Sequence, residues 1–149
     1  MIYYFAYGSL MDLSFVKNLG VYFKKPCSGK LVGFNFQINV LDLTNIAYGY
    51  ANVVPCESAE VEGVLMEIHE KDLFILDLYE GYPELYSRNK LDIICSENKR
   101  TICAWVYTGK SKYVVEQNLK LDNIQKKRIN NGFKFLSNQY QNHLLKFMC

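Results

Sequence analysis

Leu31-Val32-Gly33-Phe34-Asn35-Phe36-Gln37-Ile38-Asn39-Val40 alternates with a period of two. Val32, Phe34, Phe36, Ile38 and Val40 fall on one face of an extended chain, with Gly33, Asn35, Gln37 and Asn39 opposite. An apolar face backed by a polar one is the pattern of a strand laid on a core. Moving outward, the same reading places strands over residues 2–7, 46–54, 60–68, 86–94 and 101–108, with Ser96-Glu97-Asn98-Lys99 as a hairpin turn between the last two. Residues 70–80 contain neither Gly nor Pro and end at Gly81, with Pro83 just beyond, which is a helix and its stop. Helical spacing returns over 118–131 and 137–147, separated at Asn130-Asn131-Gly132, and Tyr140, Leu144 and Phe147 share a face of the last piece. Strands fill the front and helices the back, with one helix inserted between strands. The fold class is therefore α+β. A curved mixed sheet closing toward a small barrel would protect its edges.

The 149 residues, half of them hydrophobic, suit one domain with one core over 1–149. No stretch approaches the ~20 apolar residues of a membrane helix. The start, Met1-Ile2-Tyr3-Tyr4-Phe5-Ala6-Tyr7, lacks a basic region and breaks at Gly8, so it reads as a strand and not as a signal peptide. Cys27, Cys56, Cys95, Cys103 and Cys149 are odd in number and form no C-x-x-C, which points to reduced thiols in a cytoplasmic protein. Cys95 and Cys103 flank the hairpin and read as small core residues facing one another. Residues 112–149 carry seven Lys and Arg against two acids. With no aromatic-flanked basic stripe, Lys126-Lys127-Arg128 reads as a solvated helix face, and neither nucleic acid nor membrane is expected as a partner.

Two places could carry chemistry. In Tyr7-Gly8-Ser9-Leu10, Gly8 lacks a Cβ where the first strand ends, so backbone N–H groups can approach a carboxylate or an oxyanion, and Ser9 adds a hydroxyl that can cap a turn. On spacing alone so short and common a string reads as an ordinary strand-to-helix turn. Leu73, Leu76 and Glu80 share a helical face, so Glu80 ends an apolar stripe at a helix C-terminus. Desolvation and the helix dipole both raise a carboxyl pKa there, toward the range of a general acid–base. A frayed, solvated last turn fits the same spacing. His69 and His143 stand in no ligand spacing, and no phosphate loop or dinucleotide fingerprint occurs, so neither metal nor cofactor is expected.

Taken together, these segments resemble the γ-glutamylcyclotransferase family. Tyr4-Phe5-Ala6-Tyr7-Gly8-Ser9 is similar to that family's substrate loop, and Leu31-Val32-Gly33-Phe34 to its second strand. Tyr48-Gly49-Tyr50-Ala51-Asn52 and Val61-Glu62-Gly63-Val64-Leu65 resemble its next two strands. Leu76-Asp77-Leu78-Tyr79-Glu80-Gly81, followed by Tyr86 and Arg88, resembles the segment carrying the catalytic Glu. Gly132, Leu136, Tyr140 and Leu144 resemble the C-terminal helices of the branch acting on glutathione and γ-glutamyl amino acids. Leu10 instead resembles the γ-glutamylamine cyclotransferase and AIG2-like branches, and the enzyme that deprotects butirosin-type antibiotics, so the leaving amine stays open.

The resemblance implies an intramolecular cyclotransferase. The α-amine of a γ-glutamyl amide attacks its own γ-carbonyl, forms 5-oxoproline and expels an amine, amino acid or peptide. Glu80 is the implied catalyst. Tyr4, Phe5, Ala6, Tyr7, Gly8, Ser9 and Leu10 are the implied substrate residues, with Tyr86 or Tyr107 as the pocket tyrosine. The expected partner is a small γ-glutamyl substrate, and the protein is a monomer or homodimer. An inactive γ-glutamyl-binding protein and a γ-glutamyl hydrolase are the alternatives; a hydrolase would release glutamate.

Overall fold

The structure, a computed structural model, describes all of residues 1–149. Five strands close into a barrel in the order β1-β3-β2-β4-β5: β1 Ile2–Ala6, β2 Phe23–Leu41, β3 Gly49–Ile68, β4 Tyr86–Cys95 and β5 Thr101–Gly109. Every pairing is antiparallel except the one that closes the barrel, where β1 lies parallel to β5 with Tyr4 opposite Trp105. The helices are α1 Leu13–Asn18, α2 Leu73–Glu80, α3 Asn123–Asn131 and α4 Asn138–Leu145. The mixed α+β class and the closed sheet agree with the sequence reading.

The strand count differs from that reading. Residues 46–54 and 60–68 are not separate strands. They belong to one strand, β3, which begins only at Gly49, while Ile46 lies 74% exposed in the preceding turn. Its partner β2 is likewise far longer than 31–40. The intervening residues 55–59 are mostly polar or small and carry little periodic signal. What carries the strand through them is pairing on either side, Pro55 with Phe34 and Glu60 with Val32, which is non-local.

The alternation of the decisive stretch also breaks twice. Leu31 is buried and Val32 is 53% exposed, whereas Phe36, Ile38 and Val40 are buried. The register of β2 against β3 slips between Val32 and Phe34, at Gly33, whose φ of +87° is open to glycine. Opposite the single residue Gly33, β3 carries the four residues 56–59, and this irregularity turns the later side chains of β2 to the other face. Val32 is therefore not on the face of Phe36. A second slip, between Ile38 and Val40, lets Asn39 be buried as well. There it accepts a hydrogen bond from Asn52 Nδ2 at 2.9 Å, and Asn52 Oδ1 accepts one from the Gly109 N–H at 2.8 Å. The buried amides thus tie β2, β3 and β5 together instead of being left unsatisfied.

The hairpin cysteines are not a facing pair. Cys103 is exposed and opposite Asp92, while Cys95 is buried with its Sγ 3.7 Å from Cys27 Sγ on β2. The helices at 118–131 and 137–147 shorten to α3 and α4, capped by Asp122 and Ser137 through their side-chain oxygens. The residues from 118 to 122 lack helical partners because they run against the barrel, with Leu119 N–H donating to Ile38 O at 2.7 Å. The inserted helix begins as a 3₁₀ turn over Glu70–Asp72 before α2.

Where β1 crosses β3, Gly63 permits the contact. A Cβ there would run into Ala6 O and stand 2.8 Å from Phe5 Cζ. Gly63→Ala should lower stability by about 1–3 kcal/mol, the usual cost of overpacking. Gly33→Ala, strained only by its φ, should cost roughly 1–2 kcal/mol. Thermal unfolding of both variants measures this, and an unchanged midpoint for Gly63→Ala would mean the β1–β3 crossing is looser than described.

Candidate active site

The site follows from the barrel's topology. β1 and β5 are parallel, so their C-terminal ends share one mouth, and β3 and β4, antiparallel to them, begin there. A cavity of about 270 Å³ opens at that mouth, between the barrel, the end of α2 and the inner face of α3. Tyr4, Tyr7, Gly8, Ser9, Leu10, Glu80, Tyr86 and Tyr107 all line it. The sequence reading left the pocket tyrosine open between Tyr86 and Tyr107, and the structure places both in the wall. Phe5 and Ala6 do not line it. Both are buried in the core, with the Phe5 ring packed where the strands pass Gly29 and Gly63.

Residues 7–10 turn sharply between β1 and a 3₁₀ turn, Ser9–Met11. The N–H groups of Tyr7, Gly8, Ser9 and Leu10 donate to no backbone or side-chain acceptor in the protein. A cluster of free donors on a cavity wall is suited to a carboxylate or a developing oxyanion. Gly8 sits against the barrel, and a Cβ there would stand 3.0 Å from Ala51 Cβ. Ser9 does not cap the turn; its Oγ shares a 2.8 Å hydrogen bond with Tyr79 OH, and Asp12 caps α1 instead.

Glu80 is the last residue of α2. Gly81 closes the helix at φ +67°, with Tyr82 N–H donating to Asp77 O at 2.9 Å and Gly81 N–H to Leu78 O at 3.3 Å. Leu73 and Leu76 are buried beneath the helix, so the stripe that ends at Glu80 is real. The half-buried Glu80 carboxyl has no cation within 4.0 Å. Desolvation, unopposed, pushes its pKa from the ordinary 4.5 up to about 8. The same burial, reinforced by Glu80, raises the hydroxyl pKa values of Tyr4, Tyr7 and Tyr86, which therefore stay neutral donors. Tyr7 OH donates to Tyr107 O at 2.6 Å and Tyr86 OH to Ala51 O at 2.5 Å, so these two rings brace the mouth.

Three residues escaped the sequence reading. Asp77 holds Tyr107 OH at 2.6 Å and Arg88 Nε at 2.8 Å, with the guanidinium also over the Tyr82 and Trp105 rings. Its signal lay in the quoted Leu76–Gly81 segment, one turn before Glu80. Gln125 and Arg128 line the cavity from α3, so the third residue of the basic run 126–128 is turned inward and is not a solvated charge. Helical spacing from Gln125 was the only clue. His69 stacks on Tyr22 and His143 packs beside Tyr140 and Phe147, and neither lines the cavity. Glu84 is exposed on the loop beyond Gly81 and does not line it either.

Comparison with known proteins bears on this arrangement. Residues 4–128 match the family model described as gamma-glutamyl cyclotransferase, AIG2-like. A protein of Methanocaldococcus jannaschii provisionally named a gamma-glutamylcyclotransferase is 35% identical over 63 residues, covering 39% of this chain and 52% of that protein. A Drosophila melanogaster protein named in the same way is 38% identical over 53 residues, covering 36% of this chain and 33% of its own length. The matched region thus spans about half or less of these curated relatives. A solved structure titled gamma-glutamyl cyclotransferase superposes with a TM-score of 0.82 at 22% identity over 98% of this chain and 87% of that one, which shows a shared fold. With the family model matched over most of its length, the chain belongs to the γ-glutamyl cyclotransferase, AIG2-like family.

Proposed function

We propose that the protein converts a γ-glutamyl amide into 5-oxoproline and the free amine, with Glu80 as acid–base catalyst. The observation that carries this reading is a carboxyl of pKa about 8, without a counter-ion, in the same cavity as the free N–H groups of residues 7–10. A peptide α-amino group titrates at about 8, and the free carboxylate beside the γ-glutamyl α-ammonium holds that group about a unit higher, so Glu80 is far better matched to take its proton than an ordinary carboxylate. A carboxylate of ordinary pKa would be a weaker base by roughly three units.

In the reaction the α-nitrogen bonds to the γ-carbon, and the bond from that carbon to the leaving nitrogen breaks. The α-ammonium gives up two protons in becoming the lactam N–H. The leaving nitrogen takes up two in departing as an ammonium. Glu80 accepts a proton from the one and returns it to the other. The turn donors hold the carbonyl oxygen as it gains charge, or the glutamyl α-carboxylate. The closed mouth holds the γ-glutamyl group curled, with nitrogen and carbon ~3–3.5 Å apart.

Glu80→Gln should retain the fold and lose at least ~10²–10⁴-fold in 5-oxoproline formation, the usual weight of a general acid–base. A normal rate in that variant would remove Glu80 from the mechanism, and release of glutamate by the wild type would identify a hydrolase. Wild-type kcat/KM should rise with pH as free Glu80 ionises at about 8, and fall again once the α-ammonium of the free substrate has lost its proton. In kcat the limb should lie lower, because the bound ammonium favours the carboxylate.

Stability gives a separate check. Folded Glu80 keeps its proton up to about 8, whereas the unfolded side chain ionises from 4.5. The wild type should therefore lose stability as pH rises between those values, by at most about 1.4 kcal/mol per pH unit. Glu80→Gln should unfold with a flatter pH dependence and a higher midpoint at neutral pH.

Gly8→Val would drive a branched side chain toward Ala51 and the turn donors. It should raise KM for any γ-glutamyl substrate. Unchanged KM and kcat would mean the turn has no part in binding.

A further inference from the structure

Arg128 is the only cationic side chain in the cavity wall. It is half-buried, its guanidinium carbon lies 3.6 Å from the centroid of the Phe15 ring, and Nη1 donates to Tyr79 OH at 3.4 Å. Tyr79 OH is in turn bonded to Ser9 Oγ, so the guanidinium is braced on both sides. It has no carboxylate within 4.0 Å: the ion pairs of the protein belong to Lys25, Lys30 and Arg88. Nor is it paired with Glu80, the acid in the same wall. A half-buried guanidinium held in place without an anion is costly, and its planar fork matches a carboxylate in two parallel hydrogen bonds. Gln125 lines the same wall three residues earlier, on the same face of α3, and can add a donor.

The proposed reaction leaves two places for an anion. One is the glutamyl α-carboxylate, for which the unpaired N–H groups of residues 7–10 are already available. The other exists only when the departing amine is itself an amino acid or peptide. In an α-amino acid the carboxylate carbon lies just ~2.5 Å from the leaving nitrogen, so that anion stays within the cavity.

Building on the cyclotransferase reading, we propose that Arg128, with Gln125, is the specificity-determining group that binds the carboxylate of the departing amino acid. The preferred substrate is then a γ-glutamyl amino acid or peptide and not a γ-glutamylamine. A carboxylate-free amine would leave Arg128 desolvated and unpaired in the complex, which selects against it.

The test compares γ-glutamylalanine with γ-glutamylethylamine, which differ by that one carboxylate. Wild type should favour γ-glutamylalanine in kcat/KM by about 10- to 100-fold, the worth of a charged hydrogen-bonded pair. In Arg128→Met, which keeps an apolar stem over Phe15, the ratio should collapse toward one, and Arg128→Lys should restore part of it. Circular dichroism and thermal unfolding establish that the variants fold. A ratio unchanged in Arg128→Met overturns the assignment. An equal fall for both substrates overturns it too, because Arg128 would then hold the glutamyl half.

Calorimetric binding of both ligands to Glu80→Gln separates this proposal from the reaction itself. If wild type forms no 5-oxoproline, yet γ-glutamylalanine binds ~10-fold or more tightly than the amine only when Arg128 is present, the reaction reading fails and the Arg128 assignment stands. Equal binding, or none by either ligand, ends the assignment.

Discussion

The Asp77 carboxylate accepts hydrogen bonds from Tyr107 OH at 2.6 Å and from Arg88 Nε at 2.8 Å, joining the last turn of α2 to β4 and β5. The helix ends one turn later, and its C-terminal residue is Glu80. A charge-assisted, partly buried contact of this kind has fixed geometry, unlike a solvated ion pair. Because Asp77 and Glu80 stand three apart, holding one against the barrel turns the other over the mouth. The left-handed cap at Gly81 then ends the helix and turns the chain toward Leu85 and Tyr86, which also line the cavity.

Around that anchor the wall is built from aromatic rings whose polar ends are used elsewhere. Tyr7 and Tyr86 spend their hydroxyls on carbonyls of neighbouring strands, and Tyr4 stands edge-on to Tyr107 at 5.9 Å. Their bodies exclude water from Glu80 without offering it a positive charge. The raised pKa of Glu80 is thus the result of burial among these rings with no cation in contact with its carboxyl. The cation that does line the cavity, Arg128, is held on Phe15 and Tyr79 and makes no ion pair with Glu80. Two regions of opposite electrostatic character therefore share one cavity.

Much of this was legible in residue order. The end of α2 could be read because Gly81 and Pro83 act locally, and the apolar stripe below Glu80 because helical period is a short-range property. The turn at residues 7–10 could be placed for the same reason. The α+β class followed from strands in front and helices behind. What failed were inferences that needed two distant segments at once. Residues 56–59 belong to a strand only because Pro55 and Glu60 on either side of them pair with β2, and Val32 faces outward only because the register shifts at Gly33. Cys95 found Cys27 instead of Cys103 because β4 pairs with β2 at that height.

The sequence by itself determined the local punctuation, the class of fold and the identity of the two segments that meet in the cavity, since turn chemistry and periodicity are written within a few residues. Tertiary structure alone decided what those segments meet. Phe5 and Ala6 belong to the core although they adjoin the turn, because the end of β1 is buried on both faces. Arg128 belongs to the cavity although it sits in a basic run, because α3 packs across the turn at Ser9–Met11. Burial and proximity between residues 48 to 119 positions apart are properties of the closed sheet, and no pattern read along the chain contains them.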